Sequence, residues 1–139
     1  MRRLLLTWAI TLVAGQALAA SEPAEPKPAP HLDLYPFAAP VIQNGRLVNY
    51  VFVNMRLQGA SGAEATTLKR LEPQVRDALV RAAHRTSFAV DGTQLDAARL
   101  SAVALSEGRR IGGAKTFTGA EVLKQTPQHR RVRTVAPRS

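Results

Sequence analysis

The dipeptide Asn44-Gly45, set between two apolar, β-prone runs, restricts the fold of this chain more than any other short stretch in it. The tightest hairpin turn needs positive φ at both central residues, and asparagine followed by glycine meets that need with the least strain. The run before the turn reads "LDLYPFAAPVI" and the run after it "LVNYVFVNMRL". In the second run Val51, Val53, Met55 and Leu57 alternate with Tyr50, Phe52, Asn54 and Arg56. A strand there sends the first set to a core and the second set to the opposite face. Pro36 and Pro40 each lack an amide donor, which makes the first run an edge strand or a broken one.

The stretch "QGASGAEA" ends the alternation and leads into "LKRLEPQVRDALVRAAHR", residues 68–85. Leu68, Leu71, Val75, Leu79 and Ala82 recur at spacings of three and four, the pattern of one helical stripe. The far face then carries Arg70, Gln74, Arg76, Asp77, Arg81 and Arg85. Ser61, followed three residues later by Glu64, has the form of a capping box. Pro73 either kinks one helix or opens a second one, with Glu72 as the break point because a residue before proline resists the α region. Asp91-Gly92 marks a turn, and Thr93 is positioned to cap a second helix with Leu95, Ala98, Ala102 and Leu105 on one face and Gly108 as its stop. "GRRIGG" reads as a glycine linker, and "KTFTGAEVLKQ" as a last strand. These elements define an α+β fold: a small, mainly antiparallel sheet, made of the N-terminal β-hairpin plus a C-terminal strand, packed on two helices, the first kinked at Pro73.

The ends have a different character. Residues 1–19, "MRRLLLTWAITLVAGQALA", hold a positive start, a short apolar middle and small residues at Ala17 and Ala19. That is the layout of a secretory signal cleaved after Ala19, with retention as a membrane anchor as the alternative. Residues 20–33 form a proline-rich stalk, with "ASEPAEPKPAP" favouring an extended spacer. The folded domain is expected over residues 34–125, and residues 126–139 form a basic tail without fixed structure. The expected location is the periplasm.

The formal net charge is +9. The excess sits toward the C-terminal end, where Lys115, Lys124, Arg130, Arg131, Arg133 and Arg138 face Glu121 alone. For an exported chain such basicity points to anionic lipid, cell-wall polymer or an acidic protein rather than to nucleic acid. Arg130, Arg131, Arg133 and Arg138 are the candidate anchors of a tail of that kind, and a soluble periplasmic adaptor working through them is the alternative function. There is no cysteine, so disulfides, thiolate catalysis and zinc–sulfur sites are excluded.

Catalysis needs groups that converge, and the spacing offers little. His84, Asp77, Asp91 and Ser87 share the types of a triad, but no nucleophile elbow surrounds Ser87, and Asp77 lies on the same helix as His84. A helix-end histidine is the simpler reading of His84. The glycines of "GRRIGG" lack the following lysine of a phosphate cradle. No catalytic residue, metal site or cofactor is expected, and the chain reads as something other than an enzyme.

The stretch Pro73-Gln74-Val75-Arg76-Asp77-Ala78-Leu79 resembles the "P-x-[IV]-R-D-A-[IL]" segment in the long helix of the flagellar FliL family. "LYPFAAPVI" and "NYVFVNMRL" stand where that family's first two strands would be, and "KTFTGAEVLKQ" where its closing strand would be. The resemblance covers roughly residues 34–125. It implies a periplasmic, stomatin/prohibitin-like domain running strand, strand, long helix, shorter helix, strand. It further implies a non-catalytic, self-associating scaffold whose protein partners are flagellar stator or basal-body components. Pro73, Arg76, Asp77, Arg81 and Arg85 would then mark the family motif and its interaction surface.

Overall fold

The structure, a computed structural model, describes residues 27–128. The elements run β1 (His31–Asp33), β2 (Phe37–Gln43), β3 (Arg46–Gly59), α1 (Ala65–Arg85), α2 (Ala97–Gly112) and β4 (Phe117–Pro127). The fold is α+β, a four-stranded antiparallel sheet with its strands packed against two helices. β3 is the central strand: β1 and β2 pair with it end to end along one edge, and β4 pairs along the other.

The hairpin forms as its sequence dictates. Asn44 and Gly45 have φ of 50° and 73°, and Gln43 pairs with Arg46 across the turn. Val51, Val53, Met55 and Leu57 are buried, whereas Phe52, pointing the other way, is 41% exposed. The first run is both broken and at an edge. It divides at Leu34–Pro36 into β1 and β2, and β2, which contains Pro40, has no further strand beyond it among the described residues. An edge strand tolerates a missing donor.

Helix α1 supplies Leu68, Val75 and Leu79 to the core, each worth about 1.5–3 kcal/mol when fully buried. It runs through Pro73 without dividing, so the reading of one helix holds and that of two does not. The capping box at Ser61 does not form. Gly62, with φ of 83°, places residues 60–63 in a turn closed by the Ala63 N–H on the Ala60 carbonyl, so the helix starts later with Glu64 at its cap. There the Thr67 hydroxyl donates to Glu64 Oε2 at 3.4 Å.

Helix α2 exists where a second helix was expected, but its buried face is Leu100, Ala104 and Gly108 rather than Ala98 and Ala102, which are exposed. Thr93 is not its cap: the Thr93 N–H and hydroxyl both donate to Asp91 Oδ1, and Asp96 caps the helix by accepting from the Arg99 N–H at 2.9 Å. Gly108 does not stop the helix, and "GRRIGG" is its last turns rather than a linker. A Cβ on Gly108 would stand 2.6 Å from Leu57 Cδ2, and one on Gly112 would stand 2.8 Å from Leu71 Cδ1. These glycines let α2 approach β3 and α1 closely, and the helix ends at Gly113 with φ of 103°.

The folded region also reaches past its expected bounds. β1 takes in residues 31–33 from the segment read as stalk, and β4 runs to Pro127, inside the segment read as tail. Backbone pairing reached further than the composition of those segments suggested. The expected signal at 1–19, residues 20–26 of the stalk and most of the tail lie outside the described residues. Among the described residues no helix is long and apolar enough to cross a membrane.

Candidate interaction site on helix α1

Helical geometry puts Lys69, Pro73, Asp77, Arg81 and Arg85 on one row of α1 at steps of four, and every one of them is exposed. Four of the five candidate positions from the sequence therefore share a ridge on the solvent side. Asp77 and Arg81 pair along it at 2.7 Å, but both are well exposed, so the pair is worth only about 0.3–0.5 kcal/mol. Arg70 and Arg85 make no ion pair among the described residues. Arg85 and His84 lie in the last turn, where the carbonyl end of the helix favours positive charge.

The fifth position, Arg76, is drawn inward. Its Nε lies 3.4 Å from Glu72 Oε1, and Glu72 is only 6% exposed. Arg76 Nε is itself screened from solvent and forms no aligned hydrogen bond, so charge rather than a directed bond holds this pair. Glu72 Oε1 also accepts the backbone N–H of Tyr35 at 3.1 Å. A carboxylate on the core side of α1 thereby ties the helix to the break between β1 and β2. Sequence reading had treated Glu72 only as a helix boundary. The signal was present: Leu68, Glu72, Val75 and Leu79 step by four, three and four, which sets an acid on the apolar stripe.

That tie shapes a groove of about 460 Å³ lined by Asp33, Leu34, Tyr35, Pro36, Lys69, Glu72 and Pro73. Tyr35 is 69% exposed, the most exposed large apolar side chain among the described residues. The groove is walled by a tyrosine and two prolines, with the Lys69 ammonium at its rim. It can hold an extended apolar segment and pair with an acid beside it.

The residues that share the types of a catalytic triad do not meet. His84 Nδ1 contacts the Val80 carbonyl at 2.8 Å, and the Ser87 hydroxyl donates to the Ile42 carbonyl at 3.3 Å. Asp77 faces Arg81, and Asp91 accepts from Thr93 and Gln94 in its own loop. Those loop bonds, led by the Thr93 N–H, hold the Asp91 carboxyl below the usual carboxylate range. On the outer face of the sheet Arg56 grips Asp33 with two hydrogen bonds, at 2.6 and 3.1 Å, and these lower the Asp33 carboxyl in the same sense. Gln58 donates to Glu121 beside them at 3.1 Å. Among the described residues no three His, Asp or Glu side chains gather as a metal site would need. Arg130, Arg131, Arg133 and Arg138 lie outside the described residues.

No family model, curated protein or solved structure matches the chain.

Proposed function

We propose that the chain is a non-catalytic, exported interaction module, similar in role to the FliL family, that self-associates and supports a membrane-associated complex such as the flagellar motor stator. The observation that carries this reading is the exposed row on α1, where Pro73, Asp77, Arg81 and Arg85 stand free of the core. Arginine is favoured at protein interfaces because its planar fork pairs with carboxylates at low entropic cost. An exposed ridge with one guanidinium group, that of Arg85, unpaired among the described residues and a second, that of Arg81, held only by a weak exposed pair suits an acidic protein surface. Complementary charge chiefly sets partner choice and association rate. From the long helix onward the order of elements, long helix, shorter helix and closing strand, matches the order that the resemblance implies, although three strands rather than two precede the long helix.

Three measurements test this. Loss of the chain should impair swimming under load, and a deletion strain that swims normally removes the stator role. Arg81→Glu combined with Arg85→Glu should leave the fold intact and weaken partner capture on the order of tenfold or more, the size of an interface hot spot. Unchanged capture by the folded variant removes the α1 ridge from the interface. Mass measurement of the mature N-terminus tests export, which requires cleavage near Ala19 or a retained anchor.

A further inference from the structure

A groove lies beside the α1 ridge. Its walls are Tyr35, Pro36 and Pro73, its floor includes the buried Glu72, Asp33 stands at its edge in the grip of Arg56, and the nearest exposed cation is Lys69. Aromatic and proline surfaces of this kind suit a preformed polyproline-type segment, which loses little conformational freedom on docking. The chain carries one such segment. Residues 20–26, "ASEPAEP", hold Pro23 and Pro26 with Glu22 and Glu25, and they contain no Lys or Arg. Of the charged groups lining the groove, Asp33 faces Arg56 and Glu72 faces Arg76, whereas Lys69 has no ion-pair partner among the described residues. The two acids therefore complement Lys69, and the exposed Arg70 lies next along the helix.

We propose that the groove binds residues 20–26 of a second copy of this chain, with Pro23 and Pro26 against Tyr35 and Pro73 and an acid of the segment paired with Lys69. The proposal deepens the self-association reading above and rests on it. The donor is a second copy because the path within one chain is unfavourable. Residues 27–30 lie beside Gly59 and the first turn of α1, with the Gly59 N–H on the Pro30 carbonyl. The groove lies about 10 Å further along α1, from 1.5 Å per residue between Thr66 and Pro73. To reach it, the segment would have to reverse direction at Pro26-Lys27-Pro28. Lys27 and Ala29 both precede prolines and are held extended, so a tight reversal there is disfavoured. A neighbouring chain can present the same segment without any reversal, and reciprocal exchange would give each dimer two such contacts.

Sedimentation equilibrium of the full chain, as a function of concentration, tests the proposal. Tyr35→Ser alters an exposed side chain and should weaken dimerisation on the order of tenfold or more, with the circular dichroism spectrum unchanged. Glu22→Lys with Glu25→Lys should weaken it too, and adding Lys69→Glu to that pair should restore it. Restoration by the reversed charges supports the proposal, since mere loss of structure would not be repaired. A dimer unaffected by all three variants overturns the groove proposal and leaves self-association standing. A chain that stays monomeric at every concentration overturns both, including the case in which the segment folds onto its own groove.

Discussion

The side-chain amide of Gln125 forms both hydrogen bonds to the backbone of Leu95: Oε1 accepts from the Leu95 N–H at 2.9 Å and Nε2 donates to its carbonyl at 3.0 Å. One side chain of β4 thus acts as a strand partner for the linker leading into α2, 30 residues away in sequence. Leu95 is buried, so both of its backbone groups depend on this amide. Gln125→Leu keeps the bulk and removes both partners. It should lower stability by about 1–3 kcal/mol, the cost of leaving buried polar groups unpaired, with the denaturant slope unchanged. Urea unfolding checks this, and a loss within error of zero would mean that water replaces the amide there.

Gly108 offers a test in which two effects of opposite sign compete. Alanine in a helix interior normally gains about 0.5–1 kcal/mol over glycine. Here the added carbon would sit 2.6 Å from Leu57 Cδ2 and 3.0 Å from Phe117 Cδ2, and both side chains are fully enclosed. Overpacking of this kind costs about 1–3 kcal/mol, so Gly108→Ala should destabilise the protein. Combining it with Leu57→Val should recover part of the loss. Additive penalties in the double variant would show that the two positions do not meet.

Acid should weaken the fold through Asp91 and Asp33. Both carboxyls lie below their ordinary value of 3.8 in the folded chain, Asp91 through the Thr93 and Gln94 bonds and Asp33 through Arg56. A lowered folded value gives stability that is complete above the unfolded value and is lost as the pH falls through the folded one. The unfolding midpoint should therefore fall as the pH drops below 3.8, and less steeply in Asp91→Asn, whose side-chain oxygen still accepts from Thr93. Parallel curves for the two proteins would place the acid sensitivity elsewhere.

The sheet was far more legible in the sequence than the helix contacts were. Asn44-Gly45 and the alternation from Val51 to Leu57 report local backbone preference and strand period, and both survive into the fold. The phase of α2 is not legible in its sequence because Gly108 and Gly112 have the local character of helix breakers. Their use is to allow close approach to Leu57 and Leu71, which depends on residues distant in the chain. Ser61 looked like a cap until Gly62 turned the backbone first. The groove escaped notice for the same reason: Tyr35 and Glu72 are 37 residues apart, and only the fold brings the Tyr35 amide onto the Glu72 carboxylate.

Pro73 joins stability to the proposed association, and the two can be separated. Its missing N–H leaves the Lys69 carbonyl without the usual helical donor, and a proline inside a helix costs about 3 kcal/mol relative to alanine. The residue is exposed, so replacing it forfeits no core burial. Pro73→Ala should thus raise stability by about 1–3 kcal/mol in urea unfolding, the lower part of the range allowing for a helix already fitted around the ring. The same change strips the ring from the groove wall and should weaken dimerisation. A stabilised chain that associates less well would show that the proline serves the surface at the expense of the helix. If stability rises and association holds, Pro73 has no part in docking. If stability falls, the packing of α1 on the sheet depends on the shape the proline imposes.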